Sequence, residues 1–208
     1  MSNITFDTEG KVKTSKEDIE WLRIWCEETN DSLPRVALIG DSITEGYFRL
    51  VQKAFEGIAR VDYLVTSYSV ESEIYKSTVK ALIDDSDYAV VHYNYGLHAY
   101  NVNEDRYEKG CREILAYISK RAKTVVGTTT TVLNEDLKTE SVHWKDKVRL
   151  RNERLLSIAA DMGLSVDDLN KVSKDLAGDN RTPDGVHFSE NGYQVLAKSV
   201  VESIKKIL

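Results

Sequence analysis

Short apolar runs recur along the chain, and each is followed by a longer segment of mixed polar and apolar residues. The runs are rich in Val, Ile, Leu and aromatic residues, which is typical of parallel strands buried on both faces. They predict four strands, at 35–40, 61–66, 88–93 and 124–127, and a weaker fifth strand at 164–169.

The segments between these runs carry apolar residues three or four positions apart, the spacing that places them on one face of an α-helix. Gly163 follows one of these segments as a C-cap, and Ser189 precedes another as an N-cap. The predicted helices cover 48–58, 107–118, 148–162 and 191–208.

A further helix is predicted over Ser15 to Glu28, ahead of the first strand. Thr14 and Glu17 have the spacing of a capping box, in which side chains bond the free N–H groups of the first turn. One face of this helix would carry the apolar residues Ile19, Leu22 and Cys26. The hypothesis is that residues 1–33 form an N-terminal helical extension that packs outside the sheet.

Strands that alternate with helices at this spacing predict right-handed crossovers and a mainly parallel, five-stranded sheet between two layers of helices. The fold class is therefore α/β, a three-layer α/β/α sandwich, with residues 1–208 as a single domain. Ligands of such sheets bind at the carboxyl ends of the strands. The loops that begin at Gly40, Ser67, Tyr93 and Thr128 are expected to surround the site.

Composition excludes several other classes of protein. The 208 residues are 41% hydrophobic and 9% aromatic, enough for a sizeable core. The 28 Lys and Arg against 34 Asp and Glu give a net charge of −6 without a basic run, so a nucleic-acid partner is not expected. The two cysteines, Cys26 and Cys111, have no ligand or disulfide spacing and are predicted to be buried thiols.

The amino terminus is polar, and no stretch of about 18 consecutive apolar residues predicts a membrane span. These features predict a cytoplasmic protein, although a secreted chain trimmed of its signal would have the same sequence. The oligomeric state is left open.

The segment from Val36 to Gly46 carries the first chemical signal, because a buried strand runs directly into a turn with a serine. Gly40 permits a tight turn, and Ser42 falls at the start of the following helix. The backbone N–H of Ser42 would then face an anion formed on a carbonyl that its hydroxyl attacks. A strand-to-helix connection with Ser42 as a mere N-cap is the simpler alternative.

The second signal lies just before the last helix, where Asp184 precedes His187 by three residues. A serine hydroxyl is a weak nucleophile until a base takes its proton, and the base works better when a carboxylate holds its tautomer. Ser42, His187 and Asp184 supply these three roles. A turn with a capping pair is again the simpler alternative.

With these residues the chain resembles the SGNH/GDSL hydrolase family of esterases, lipases and deacetylases. The resemblance runs from Pro34 onward and rests on Gly40-Asp41-Ser42-Ile43 and on Asp184-x-x-His187, which lie in the family's order. It implies a flavodoxin-like fold, a nucleophile at Ser42, and the acid and base of a triad at Asp184 and His187.

Two of the family's blocks depart from its pattern. The third block is normally Gly-x-Asn-Asp, with the Asn as an oxyanion donor, whereas this chain has Gly96-Leu97-His98. An imidazole N–H at His98 can replace that donor, with a strength that depends on pH and tautomer. Asn94 is the neighbouring amide that could serve instead. The second block normally has a Gly, and here Ser69 or a neighbour is expected to offer the backbone N–H.

The main hypothesis is a serine esterase that hydrolyses a small ester through an acyl-enzyme on Ser42, with O-acetyl groups on carbohydrate suggested by the resemblance. No cofactor and no metal site are expected, because the histidines lack ligand spacing. The alternatives are a non-catalytic α/β binding module with a degenerate oxyanion hole and an acyltransferase that uses the same acyl-enzyme. Four aromatic residues are candidates for the substrate surface: Tyr47, Tyr95, Tyr100 and Trp144.

Overall fold

A computed structural model describes residues 16–28 and 32–208. The described residues form a three-layer α/β/α sandwich, as the sequence predicts. Its six strands are β1 (Leu22–Trp25), β2 (Arg35–Gly40), β3 (Arg60–Thr66), β4 (Tyr88–Asn94), β5 (Lys123–Gly127) and β6 (Ser165–Asp167). Its helices are α1 (Ser42–Ala54), α2 (Glu73–Asp85), α3 (Glu104–Ile118), α4 (Lys145–Met162), α5 (Leu169–Lys174) and α6 (Glu190–Lys205), with a short 3-10 helix at Gly178–Asn180.

The sheet has the strand order β1-β3-β2-β4-β5-β6, and every pair except β1 with β3 is parallel. Successive residues of β2 point to opposite faces, because side chains alternate along a strand. Val36 and Leu38 join the core beneath α1 and α6, while Ala37 and Ile39 join the core beneath α2, α3 and α4. Helices therefore cover both faces of the sheet, and the carboxyl ends of its parallel strands lie along one edge.

Several local predictions are confirmed. The weak fifth strand is β6, at one edge of the sheet. Gly163 ends α4 in the left-handed conformation with φ of 65°, and the Ser189 side chain accepts a hydrogen bond from the N–H of Gly192 at the start of α6. Helices α2 and α5 are elements for which the apolar spacing made no prediction.

The predicted helix over Ser15 to Glu28 is wrong for the residues that the structure describes. Residues 22–25 instead form β1, which pairs antiparallel with β3, so the sheet has six strands where the sequence predicts five. The ladder satisfies the N–H and C=O groups on that edge of β3, and this tertiary gain outweighs local helix propensity. Ile19 and Ile24 are exposed, so their helical spacing does not build a buried face. Thr14 and Ser15 lie outside the described residues.

The prediction that both cysteines are buried is confirmed for one of them and wrong for the other. Cys111 is buried in α3, as expected, and burial raises the pKa of its thiol to about 11. Cys26 follows β1 and is exposed, contrary to the prediction. Within the described chain, no helix is both long and apolar enough to cross a membrane.

Candidate active site

The turn between β2 and α1 presents Ser42 as the first residue of the helix. Asp41 is the N-cap, and its Oδ1 accepts the N–H of Ile43 at 3.0 Å. A Cβ on Gly40 would lie 2.0 Å from the Thr44 hydroxyl oxygen, so only glycine lets the chain pass this close. The N–H of a first-turn residue has no carbonyl four residues before it within the helix. This geometry leaves the Ser42 N–H available beside its own hydroxyl.

A continuous hydrogen-bonded chain joins Ser42, His187 and Asp184. His187 Nε2 lies 2.8 Å from Ser42 Oγ, and His187 Nδ1 lies 2.7 Å from Asp184 Oδ2. Because an ionised carboxylate only accepts, Nδ1 carries the donated hydrogen and Nε2 is free to accept from the serine hydroxyl. The structure thus brings the three residues into the arrangement of a nucleophile, a base and an orienting acid.

The turn around Asp184 keeps that carboxylate ionised. Burial alone would raise its pKa, but hydrogen bonds from the His187 ring, the His187 N–H, the Thr182 hydroxyl and the Val186 N–H hold the pKa well below its usual range. Oδ1 takes the three bonds from its own turn, which leaves Oδ2 for the imidazole. Asp184 is therefore ionised at neutral pH.

Arg181 anchors the turn that carries His187. Its guanidinium is buried and donates to the carbonyls of Leu176 and Thr131 at 2.7 and 2.8 Å, while its backbone bridges to Phe188. Burial lowers the pKa of Arg181 to about 10, which leaves it charged at neutral pH. The sequence analysis did not single out this residue, because an arginine next to a turn is usually exposed on the surface.

The loop after β4 is held beside the serine turn by two ionised side chains. Asp41 Oδ2 accepts the N–H groups of Gly96 and Leu97, at 3.3 and 3.4 Å. From α4, the fully buried Arg151 donates to the carbonyls of Gly96, His98 and Ala99 at 2.6–2.8 Å. The residue next to Ser42 therefore bonds directly to the loop that carries His98.

Gly96 permits the close packing of this loop. A Cβ at this position would lie 1.7 Å from Thr129 Oγ1. This distance is too short for any side chain, so only glycine fits here. The predicted glycine is thus required by the neighbouring loop after β5, in addition to any part it plays in catalysis.

His98 has a partner of its own in the segment before β1. Its Nδ1 lies 3.0 and 3.1 Å from the two carboxylate oxygens of Glu17, and the N–H of Ala99 donates to the same carboxylate at 2.9 Å. The Trp21 ring packs nearly perpendicular to the imidazole, with 5.8 Å between the ring centroids. Glu17 appeared in the sequence analysis only as part of a capping box, so this contact was missed.

Asn94 and Ser69 are both buried, in different surroundings. The Asn94 amide donates to the carbonyls of Gly127 and Thr128, at 3.2 and 3.0 Å, and so links two loops. Ser69 accepts the Glu71 N–H through its hydroxyl and the Ser72 N–H through its carbonyl. Both hydrogens of the Asn94 amide group are therefore donated to carbonyls. The two bonds of Ser69 use its hydroxyl and its carbonyl and do not involve its N–H.

The aromatic candidates divide into two pairs. Tyr47 and Tyr95 are fully buried in the core, which is contrary to a place on the substrate surface. Tyr100 and Trp144 are partly exposed and pack together, with ring centroids 4.9 Å apart. Tyr100 also stacks on His143 at 4.2 Å. Only this second pair remains available to a ligand.

A cleft of about 680 Å³ lies between α4 and the loop that follows β5. Its walls include Val132, Lys145, Val148, Asn152 and Lys174, and none of the residues that line it belongs to the hydrogen-bonded triad. We place the candidate active site at the Ser42 turn and not in this cleft, because the hydrogen-bonded triad lies at that turn. Among the described residues, no group of three or more His, Cys, Asp or Glu could hold a metal ion.

Comparison with solved structures shows which proteins share this fold. LAE5, an α/β hydrolase enzyme from the metagenome of Lake Arreo, Spain, superposes with a TM-score of 0.70 at 14% identity, over 84% of this chain and 96% of that chain. A lipase/acylhydrolase from Enterococcus faecalis gives 0.66 at 19% identity, over the same shares of the two chains. Axe2, an acetylxylan esterase from Geobacillus stearothermophilus, gives 0.66 at 16% identity, over 82% and 94%.

No family model and no curated protein sequence matches the chain. At identities below a fifth, the superpositions show a shared fold and leave the chemistry to the residues themselves. The case for an activity therefore depends on the contacts of Ser42, His187 and Asp184.

Proposed function

We propose that this protein is a serine hydrolase of the SGNH/GDSL type that cleaves a small ester through an acyl-enzyme on Ser42. The observation that carries the proposal is the unbroken chain of contacts from Ser42 Oγ to His187 at 2.8 Å and from His187 to Asp184 at 2.7 Å. A strand-to-helix cap needs no imidazole at the serine hydroxyl, and a capped turn needs no carboxylate behind that imidazole.

The proposed reaction proceeds in two halves. His187 Nε2 takes the proton of Ser42 as Oγ attacks the acyl carbon, and the imidazolium then returns that proton to the leaving alcohol. Water repeats the sequence on the acyl-enzyme and releases the acid. Asp184 holds the Nδ1–H tautomer and stabilises the positive charge on the ring without accepting its proton.

The developing oxyanion would be held by donors from the three loops around Ser42. These are the N–H of Ser42 at the start of α1, an N–H in the 67–71 loop, and the side chain of His98. Asp41 supports this assignment because its two carboxylate oxygens bond the serine turn and the 96–97 backbone together. Asn94 is a weaker candidate, since its amide already donates to two carbonyls.

We also propose O-acetyl groups on carbohydrate as the substrate class. Axe2, with the same fold, is an acetylxylan esterase. Tyr100 follows the His98 loop, and Trp144 immediately precedes α4. Both rings are partly exposed and pack together, and such rings can stack against a sugar. Alanine at either position is expected to raise KM for an acetylated oligosaccharide while leaving KM for p-nitrophenyl acetate unchanged.

A covalent probe tests the proposed activity most directly. Wild-type protein treated with a fluorophosphonate should gain the mass of one phosphonyl group on the peptide that carries Ser42, and it should hydrolyse p-nitrophenyl acetate. Ser42→Ala, folded by circular dichroism, is the matched control and should lose both properties. A folded wild type that neither labels nor turns over would identify the chain as a binding module. Faster product formation with an added alcohol, trapped as a new ester, would identify an acyltransferase.

A further inference from the structure

The segment that precedes β1 contacts both loops expected to provide oxyanion donors. Glu20 accepts a hydrogen bond from the hydroxyl of Ser67 at 2.6 Å. The N–H of Trp21 donates to the hydroxyl oxygen of the same serine, and the carbonyl of Trp21 accepts the Ser67 N–H. Glu17 binds the ring of His98 and the N–H of Ala99. Pairing of β1 with β3 anchors this segment to the sheet edge. Its acidic side chains are thereby fixed beside the site.

The protons on His98 follow from its contact with Glu17. A carboxylate has only acceptor oxygens, so the 3.0 Å contact at Nδ1 requires a hydrogen on that nitrogen. A neutral imidazole has a single N–H, and its Nε2 would then be bare and unable to donate. Only the imidazolium can donate to Glu17 and to an oxyanion at the same time.

The charges around His98 favour the imidazolium. Burial alone would lower its pKa, but the hydrogen bond to Glu17 and the negative charges of Asp41, Glu17 and Glu20 raise it. The cation Arg151 donates to the backbone carbonyl of His98, and its charge contributes to lowering the pKa of Glu17. Correspondingly, burial alone would raise the pKa of Glu17, and its bond and charge interaction with His98 lower it. The imidazole is largely shielded from solvent, with 17% of its side chain exposed.

We propose that Glu17 is a positioning residue that holds His98 as an imidazolium, so that its Nε2–H donates to the oxyanion formed on Ser42. This inference rests on the proposed hydrolase activity. His98 keeps its proton throughout, because it gives a hydrogen bond to the oxyanion and transfers nothing. This chain has His98 where the resembled family has an asparagine amide. With its Nδ1 bonded to Glu17, a histidine in that place must be protonated on both nitrogens to donate to the oxyanion, and the carboxylate of Glu17 favours that charged form.

The two histidines then need opposite protonation states. His187 must be neutral to take the serine proton, so the rate rises as the pH increases through its titration. His98 must be charged to donate, so the rate falls again as it loses its proton. Ester hydrolysis should follow a bell-shaped profile whose alkaline limb belongs to the pair of Glu17 and His98.

The test compares kcat against pH for wild type, Glu17→Gln and the matched control Asp18→Asn on p-nitrophenyl acetate. Gln keeps the shape and an acceptor oxygen but removes the charge. The alkaline limb of the Glu17→Gln profile should lie at lower pH than that of wild type. At a fixed pH on this limb, kcat should be about tenfold lower than wild type for each pH unit of displacement. KM should change little. Asp18 is exposed on the same segment, and Asp18→Asn should retain the wild-type profile.

A second background separates this role from a merely structural one. His98→Asn has an amide donor that does not titrate, so its alkaline limb should vanish and the added Glu17→Gln should have no further effect. If Glu17→Gln lowers kcat equally in both backgrounds, or leaves the wild-type profile unchanged, the inference is overturned. If wild type is labelled at Ser42 and the pH profile of Glu17→Gln matches that of wild type, only this inference is rejected. If wild type is neither labelled nor active, the proposed activity is rejected as well.

A direct measurement does not depend on turnover. The imidazole Cε1–H signal of His98, assigned by its loss in His98→Asn, should titrate at higher pH in wild type than in Glu17→Gln. The same titration midpoint in both proteins would overturn the inference even if Glu17→Gln loses activity for another reason.

Discussion

The two sides of the candidate active site are built in different ways. On one side, Asp184 and His187 lie three residues apart in a single turn, and that turn supplies most of the hydrogen bonds that orient them. On the other side, the His98 loop is held by Asp41, Glu17 and Arg151, which come from distant parts of the chain. A local motif can carry an acid and a base, whereas the oxyanion side depends on long-range contacts.

This difference has a consequence for how the site tolerates change. In the Asp184 turn the side chain accepts N–H groups of its own turn, and an asparagine keeps an acceptor oxygen, so Asp184→Asn should remove chemistry without moving the loop. The loop of residues 96–99 instead depends on charged side chains from distant parts of the chain. Bonds to charged groups are stronger than bonds between neutral groups and costly to leave half-made. The following predictions test this contrast, in order of decreasing effect.

Ser42→Ala should produce the largest loss and sets the scale for both sides of the site. Removal of a triad nucleophile lowers kcat by about 10⁶-fold in a well-studied serine protease, and the remainder comes from binding and the oxyanion hole. The fold should persist, because Ser42 is only partly buried at the start of α1. Steady-state turnover of p-nitrophenyl acetate, with circular dichroism as the folding check, measures the effect. Retention of a large part of the activity by folded Ser42→Ala would remove this residue from the mechanism.

Asp184→Asn should lower kcat by about 10⁴-fold, because an amide can donate to Nδ1 and so favours the unreactive tautomer of His187. The turn should survive, since the amide oxygen can still accept the N–H groups of Val186 and His187. Chemical shifts of these two amides report whether the turn is intact. A small rate effect with an intact turn would mean that the imidazole is oriented by something other than Asp184.

His98→Ala should lower kcat by about 10²–10³-fold with little change in KM, the usual cost of one oxyanion donor. His98→Asn should recover much of that loss, because an amide N–H can occupy a similar position. The two variants are compared on one ester. Wild-type rates in both would make His98 a bystander, and the N–H groups of Ser42 and the 67–71 loop would then have to hold the oxyanion by themselves.

The smallest expected effect is on stability in acid, and it concerns the Asp184 turn. A carboxyl whose pKa is lower in the folded chain stabilises the fold above its unfolded pKa, and this contribution is lost as the pH falls through the folded value. Asp184 is about half exposed, so solvent screens the contribution and it should be small. The difference in Tm between wild type and Asp184→Asn should shrink from about pH 6 to below about pH 3. A difference that grows in acid would contradict this sign.

Much of the fold could be predicted from local patterns. The apolar runs locate β2, β3, β4 and β5, because a strand buried on both faces has to be apolar along most of its length. The edge strand β6 is only partly buried, and its signal in the sequence is correspondingly weaker. Residues 22–25 could not be predicted in this way, since Ile24 is exposed on an edge strand and the helical spacing of its neighbours was coincidental. The edge of β3 decides their conformation, and that edge exists only once the sheet has formed.

For the site, the sequence by itself determined the residues whose spacing has a chemical meaning: Ser42 after a buried strand, and Asp184 with His187 in one turn. Only the tertiary structure decided which charges meet the His98 loop, because Glu17, Asp41 and Arg151 are far apart in sequence and carry no shared pattern. It brings Arg151 to three carbonyls and Glu17 to the imidazole. Burial makes the contacts of Arg151 specific, since a charged group fully withdrawn from water must find partners wherever the fold provides them.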